Sequence, residues 1–159
     1  MGTFRAALTA LAGLSVSGIS ANLDVDAVPD EINRGQLPAL LVLPVNPPKN
    51  PDDDETGSLF DERGSGFTAL AFTESTRTVT YHVNHVLLVA PLNAGSGLRS
   101  HLPALIDLID NYFSALGADV TLGGTLRQAA QVDVQPGIIV HGGVAYVGCR
   151  LRHEWVIGY

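Results

Sequence analysis

The chain is short of charge, of basic residues and of cysteine. Of its 159 residues, 16% are charged, nine are Lys or Arg, and one is Cys. A net charge of -7 would repel a phosphate backbone, so nucleic acid is disfavoured as a partner. The lone Cys149 cannot form an internal disulfide, which excludes a small disulfide-stabilised scaffold. We interpret Cys149 as a small buried hydrophobic residue on a strand.

Long hydrophobic runs are also absent. No segment reaches the ~20 apolar residues that a membrane span needs, so the sequence predicts none. Residues 4–21 combine one basic residue, an apolar stretch and small residues, as a signal peptide does. The large side chains of this segment nevertheless recur at helical spacing. We therefore favour an amphipathic helix that docks through Phe4, Leu8, Leu11 and Leu14. The alternative is a cleaved signal on a secreted binding domain.

Motifs that indicate catalysis or metal binding are missing as well. His82 and His85 stand three residues apart on a predicted strand, where an odd separation puts side chains on opposite faces. The sequence HGG at 141–143 is typical of a tight turn, and the chain offers no ordered trio of Ser, His and acid. Zinc-site spacing is absent too. The sequence therefore predicts no catalytic residue, no cofactor and no metal.

The apolar content and its spacing indicate one α+β domain over residues 1–159. Hydrophobic residues make up 46% of the chain, and the length allows one core rather than two. The predicted fold is a mostly antiparallel sheet with a long hairpin, packed against the N-terminal helix and one further amphipathic helix. Periodicity and breakers place the strands at 37–43, 67–72, 76–89, 126–134, 138–141 and 144–158, and the second helix at 100–116.

The second helix carries many apolar residues at spacings of three and four. We predict that they form a single stripe facing the core. The predicted stripe consists of Leu98, Leu102, Leu105, Ile106, Ile109, Phe113 and Leu116.

Two charged segments are candidate interfaces. Residues 46–66 form a long predicted loop rich in Pro, Gly and acid, which we expect to become ordered on a partner. On the last strand, alternation places three charged side chains on the face opposite the core. The candidate residues for contact with a neighbouring subunit or a tail tube are Arg150, Arg152 and Glu154 on this strand, and Asp52, Asp53, Asp54 and Glu55 in the loop.

The order of elements and three short phrases resemble a known family. The phrases are LPALLVLP at 37–44, a long strand ending in VAP at 79–91, and the closing segment 151–159 that ends in an aromatic residue. Together with the N-terminal helix, the acidic loop and the amphipathic helix, they resemble the tail terminator proteins of long-tailed bacteriophages. Related neck and tail-completion proteins share much of this plan.

The resemblance implies a virion structural protein without enzymatic activity. Its subunits would form a ring, with six-fold symmetry expected, at the head-proximal end of the tail tube. That ring would stop tube polymerisation and present a docking surface to the head connector. The implied partners are further copies of the chain, the tail tube protein and the head–tail connector or neck proteins, with no cofactor, membrane or specific nucleic acid. Assembly would take place in the host cytoplasm. Another neck or head–tail connector subunit is the alternative.

Overall fold

The α+β class predicted from the sequence is confirmed by a computed structural model, which describes residues 3–44, 66–73, 76–93 and 97–159. The predicted acidic loop at 46–66, with Asp52 to Glu55, lies outside the described residues except for Gly66. In chain order the elements are α1 (Phe4–Ala12), β1 (Ala21–Leu23), a 3-10 helix (Arg34–Gln36), β2 (Ala39–Leu43), β3 (Gly66–Thr73), β4 (Thr76–Pro91), α2 (Leu98–Ala118), β5 (Gln131–His141) and β6 (Val144–Gly158).

The six strands form one mixed, mostly antiparallel sheet. Its order is β1-β2-β4-β6-β5, with β3 pairing the first half of β4 on the same side as β2. Among the described strands, β1 and β2 form the one parallel pair. The sequence did not predict β1, because three residues give no usable periodicity. The long strands β4 and β6 run side by side over nearly their whole length and form the centre of the sheet.

Both helices pack on one face of the sheet, which we call the helix face. Odd-numbered residues of β4 and β6 point into this main core, as their alternation predicted. The buried residues there include Val83 and Leu87 from β4, with Leu151 and Trp155 from β6. A bulge lies between Leu88 and Ala90, where the pairing with β6 shifts register.

Helix α1 docks as predicted. Thr3 caps its first turn, because the side-chain oxygen accepts a hydrogen bond from Ala6 N at 3.1 Å. Leu8, Leu11 and Leu14 are buried, and Phe4 stacks on Tyr81 with ring centroids 4.0 Å apart. The helix thus supplies part of the main core.

Helix α2 differs from its prediction in extent and in rotation about its axis. It begins at Leu98, two residues before the predicted start, and continues past Gly117 to Ala118, and Pro103 lies inside it. The side chains that contact the sheet are Leu105, Leu108, Tyr112 and Leu116. Leu105, Ile109 and Leu116 of the predicted stripe do pack in the core. The prediction was wrong for the exposed Leu98, Leu102, Ile106 and Phe113, and it omitted Leu108 and Tyr112. No helix in the described ranges is both long and apolar enough to cross a membrane.

Strand β5 also differs from prediction. The segment 119–130 is a series of turns, and one strand then runs from Gln131 to His141 through Pro136. The sequence instead predicted two separate strands, at 126–134 and 138–141. An edge strand tolerates proline where its N–H would point away from the sheet. The Gly142–Gly143 turn to β6 forms as predicted, with both residues at positive φ.

A smaller core lies on the opposite face of the sheet, which we call the outer face. The irregular segment 24–38 crosses this face and covers Leu41, Val86 and Tyr146 with Val28, Ile32 and Leu37. A hydrogen bond between His141 Nε2 and the carbonyl of Pro29, 2.8 Å long, holds the segment against the end of β5. Beyond this core the outer face carries polar side chains such as His82, Arg152 and Glu154, together with the exposed Leu70.

Candidate functional site

A continuous set of hydrogen bonds lies in the main core between the sheet, α2 and the segment after α1. Asn22, in β1, donates its side-chain amide to the carbonyls of Leu11 and Leu14, each at 3.1 Å. Its Oδ1 therefore remains as an acceptor and lies 2.9 Å from His85 Nε2. In this arrangement the proton of a neutral His85 sits on Nε2, which leaves Nδ1 as an acceptor.

At the other end of this set, the hydrogen bonds are donated in the same direction, towards Asn22. Trp155 Nε1 can only donate, and it lies 3.1 Å from His153 Nδ1. The proton of a neutral His153 is therefore on Nε2, which donates to the Tyr112 hydroxyl at 2.6 Å. Tyr112 in turn donates to His85 Nδ1 at 2.8 Å. Every donor from Trp155 to Asn22 is matched when both histidines are neutral.

Burial favours these neutral forms. Desolvation lowers the pKa of His153 to about 3. Desolvation, followed by the nearby His153, holds the pKa of His85 well below its ordinary value, and burial raises the pKa of Tyr112. His85 and His153 have no exposed surface. The network joins α2 and the N-terminal segment to the sheet, and its hydrogen-bonding positions are already taken by protein groups.

Sequence reasoning placed His153 on the inward face of the last strand and His85 on the same face as Val83 and Leu87, but it did not find the network. The missing members were Tyr112, which lay outside the predicted stripe, and Asn22, which was assigned to an irregular connection. A signal for Tyr112 was available, because Leu105, Leu108, Tyr112 and Leu116 recur at helical spacings of three, four and four.

The remaining histidines and the cysteine do not assemble into a metal or nucleophile site among the described residues, where no group of three metal-ligating side chains occurs. His82 faces away from His85, as predicted, and its Nε2 lies 3.1 Å from Glu154 Oε2 on the outer face. Cys149 is completely buried, as predicted, and desolvation raises the pKa of its thiol to about 11. A thiol of this kind is a poor nucleophile.

The three predicted interface residues of β6 do lie together on the outer face, and each is half-buried. Arg150 donates from its guanidinium to Gln135 Oε1 at 2.6 Å. Arg152 stands between Asn84 of β4 and Asp133 of β5 in the register. Arg152 and Glu154, with neighbouring residues of β4 and β5, line an open cleft of about 240 Å³. The charges are thus interleaved with partners inside the sheet.

The most distinctive exposed surface is on α2. We call it the α2 flank, and it consists of Leu98, Leu102, Ile106 and Phe113. Ile106 is 56% exposed and Phe113 46%. These residues were predicted to be core. They lie outside it because the other half of the apolar arc, with Tyr112 in its hydrogen-bond network, contacts the sheet.

The α2 flank lies on the side of α2 that is turned away from α1. Since α1 contacts β2 while α2 contacts β4 and β6, this is the side towards β5. On the other side of α2, Asn111 donates to the carbonyl of Ser17, so that side meets the segment after α1. Ile106 is about 140° around the helix from Asn111, at 100° per residue. Ile138 of β5 is also 55% exposed, and it is opposite the buried Val147 in the register. Ile138 therefore lies on the helix face of the sheet, the same face that α2 covers.

Neither the models of protein families nor the curated proteins contain a match to this chain.

Proposed function

We propose that this chain is a tail terminator subunit, which forms a ring at the head-proximal end of a phage tail tube, stops polymerisation and offers a docking face to the head connector. The observation that carries the proposal is the α2 flank. Four large apolar side chains side by side on a helix surface are typical of a protein interface, whereas single exposed apolar residues are not.

The polar chemistry of the described residues is consistent with an assembly role. The two buried histidines, His85 and His153, have lowered pKa values, no exposed surface, and hydrogen-bond partners within the protein. The outer-face charges are interleaved, with His82 next to Glu154 and Arg150 on Gln135. The element order and the phrases at 37–44, 79–91 and 151–159 supply the resemblance to tail terminators, and the ring and its partners follow from that resemblance.

Two measurements test the proposal. The purified chain is first imaged by negative-stain electron microscopy and weighed by native mass spectrometry, and a closed ring, six-fold by expectation, should appear. It is then added to polymerising tail tube protein from the same genome. Tubes should stop growing and carry the ring at one end.

The control for the second measurement is a monomeric variant at the same concentration, which should leave tube growth unchanged. Rings that bind a head connector but do not stop tube growth would favour the alternative neck subunit. A chain that stays monomeric at every accessible concentration would refute both.

A further inference from the structure

The sheet has two long edges without a strand partner in the described part of the chain. β5 pairs only with β6, and β3 pairs only with β4. They are eleven and eight residues long, above the five or six that are usual for strands. Proteins normally shorten, charge or cover such edges, because unpaired N–H and C=O groups template further pairing.

The two edges lie on opposite sides of the sheet. β3 is on the β2 side of β4, whereas β5 is beyond β6. β5 and β4 are both antiparallel to β6, so they run in the same direction, and β3 runs against β4. If the sheet continued from one copy into the next, β3 of the second copy would meet β5 of the first as an antiparallel neighbour.

We propose that β3 of one copy pairs with β5 of the next, so that one sheet continues through the assembly. This inference rests on the proposed function and names the surfaces that build the ring. The contact is heterologous, because each copy uses β5 towards one neighbour and β3 towards the other. Heterologous contacts form a closed ring when successive rotations from copy to copy add up to one full turn, as a terminator ring requires.

The α2 flank favours a second copy of this chain as the occupant of the β5 edge. A strand added to that edge presents alternate side chains to the helix face, the face on which the flank and Ile138 are exposed. Ala69 of β3 stands opposite Val79, which points into the main core, so Ala69 belongs to the helix face. Its small side chain leaves room for the large side chains of the flank.

Residues at the start of β5 can form the backbone ladder. Pro136 has no N–H and interrupts donation at its own position. The five residues before it, 131–135, provide an uninterrupted segment that β3 is long enough to cover. The side chains of Gln131, Asp133 and Gln135 are exposed and lie opposite outer-face residues of β6.

Cysteine cross-linking tests the pairing. In a Cys149→Ala background, Leu70→Cys is combined with Gln131→Cys, Asp133→Cys or Gln135→Cys, one at a time. Leu70 is exposed and stands opposite Thr78, so it shares the outer face with these positions. Cross-strand neighbours have Cβ atoms close enough for a disulfide. At least one combination should give a ladder of covalent oligomers on oxidation, ending at the ring number.

The matched control combines Leu70→Cys with Asp107→Cys, which is exposed on α2, and it should give no ladder. Rings without a cross-link in any of the three combinations would overturn the pairing while leaving the proposed function standing. A cross-link between the β5 cysteine of one copy and the same cysteine of a second copy would also overturn the pairing, in favour of a two-fold contact. Monomers throughout would overturn both, whereas cross-linked rings that do not stop tube growth would overturn only the proposed function.

A second comparison separates the interface from folding. Ile106→Asp places a carboxylate on the α2 flank, and Ser114→Asp places one on an exposed part of the same helix. Ile106→Asp should weaken association at least about tenfold, because the carboxylate would be desolvated between copies. Both variants should keep the thermal unfolding midpoint of the parent. Equal association of the two variants would exclude the flank from the contact.

Discussion

The Tyr112 hydroxyl bridges His153 and His85, at 2.6 Å from one Nε2 and 2.8 Å from the other's Nδ1. This oxygen is the only point at which α2 donates or accepts a side-chain hydrogen bond in the described network. It therefore fixes the rotation of α2 on the sheet and, with it, the direction in which the α2 flank points.

Removing that oxygen should cost stability. Tyr112→Phe leaves the His153 N–H and the His85 nitrogen buried without a partner, at ~1–3 kcal/mol for each unsatisfied group. We expect the free energy of unfolding in urea to fall by ~2–4 kcal/mol. Tyr159→Phe is the control, because its hydroxyl bonds Tyr81 at a half-buried position and its loss should cost less than ~1.5 kcal/mol. Equal losses would argue against the network.

The two buried histidines should make stability depend on acid. Their folded pKa values lie below the unfolded value of about 6.5, so the stability that they contribute is complete above that pH. It is lost as the pH falls towards the folded pKa of His153, about 3. Each histidine should contribute a slope of up to ~1.4 kcal/mol per pH unit to the unfolding free energy. Two histidine ring resonances should stay constant between pH 8 and 5, and midpoints near 6.5 for both would contradict the assignment.

Helix α1 should be required for the fold. Leu8→Asp buries a carboxylate at a position that is 4% exposed, and we expect a loss of ~3–5 kcal/mol or failure to fold. Ala6→Asp puts the same charge on the exposed side of the same helix and should stay within ~0.5 kcal/mol of the parent. Thermal unfolding of the two variants separates these outcomes. Unchanged stability of Leu8→Asp would show that α1 is dispensable.

Two glycine-to-alanine changes should act in opposite directions. At Gly148 of β6 a Cβ would overlap the carbonyl oxygen of Leu87, so Gly148→Ala should destabilise by ~1–3 kcal/mol. At Gly117 of α2 a Cβ meets no atom within 4 Å, and Gly117→Ala should stabilise by ~0.5–1 kcal/mol through helix propensity. Chemical denaturation measures both. A stabilising Gly148→Ala would disprove the close approach of β4 and β6.

The role of the charged outer face in assembly remains a prediction. Arg152→Glu reverses the charge between Asn84 and Asp133 without removing the contact from Arg150 to Gln135. If this face meets a neighbour or the tail tube, the variant should fold but not form rings in light scattering. Arg34→Glu, at an exposed residue of the 3-10 helix, is the control. Parental assembly of Arg152→Glu would identify the face as simply solvated.

The sequence by itself determined the local elements wherever a period was clear. The alternation in β4 put Val83 and His85 on one face and His82 on the other, and the helical spacing of Leu8 and Leu11 identified the docked side of α1. These assignments succeeded because a strand or helix with a clear apolar period has only one face that can be turned to the core.

Only the tertiary structure decided which half of α2 meets the sheet and where β5 runs. The apolar residues of α2 cover roughly half its circumference, so periodicity allows several rotations. Burial of Leu108 and the hydrogen bonds of Tyr112 to His85 and His153 select one of them, and these partners are distant in sequence. In the same way, Pro136 indicates the end of a strand when the sequence is taken alone. The structure places β5 at an edge of the sheet, where the missing N–H is tolerated and the strand continues.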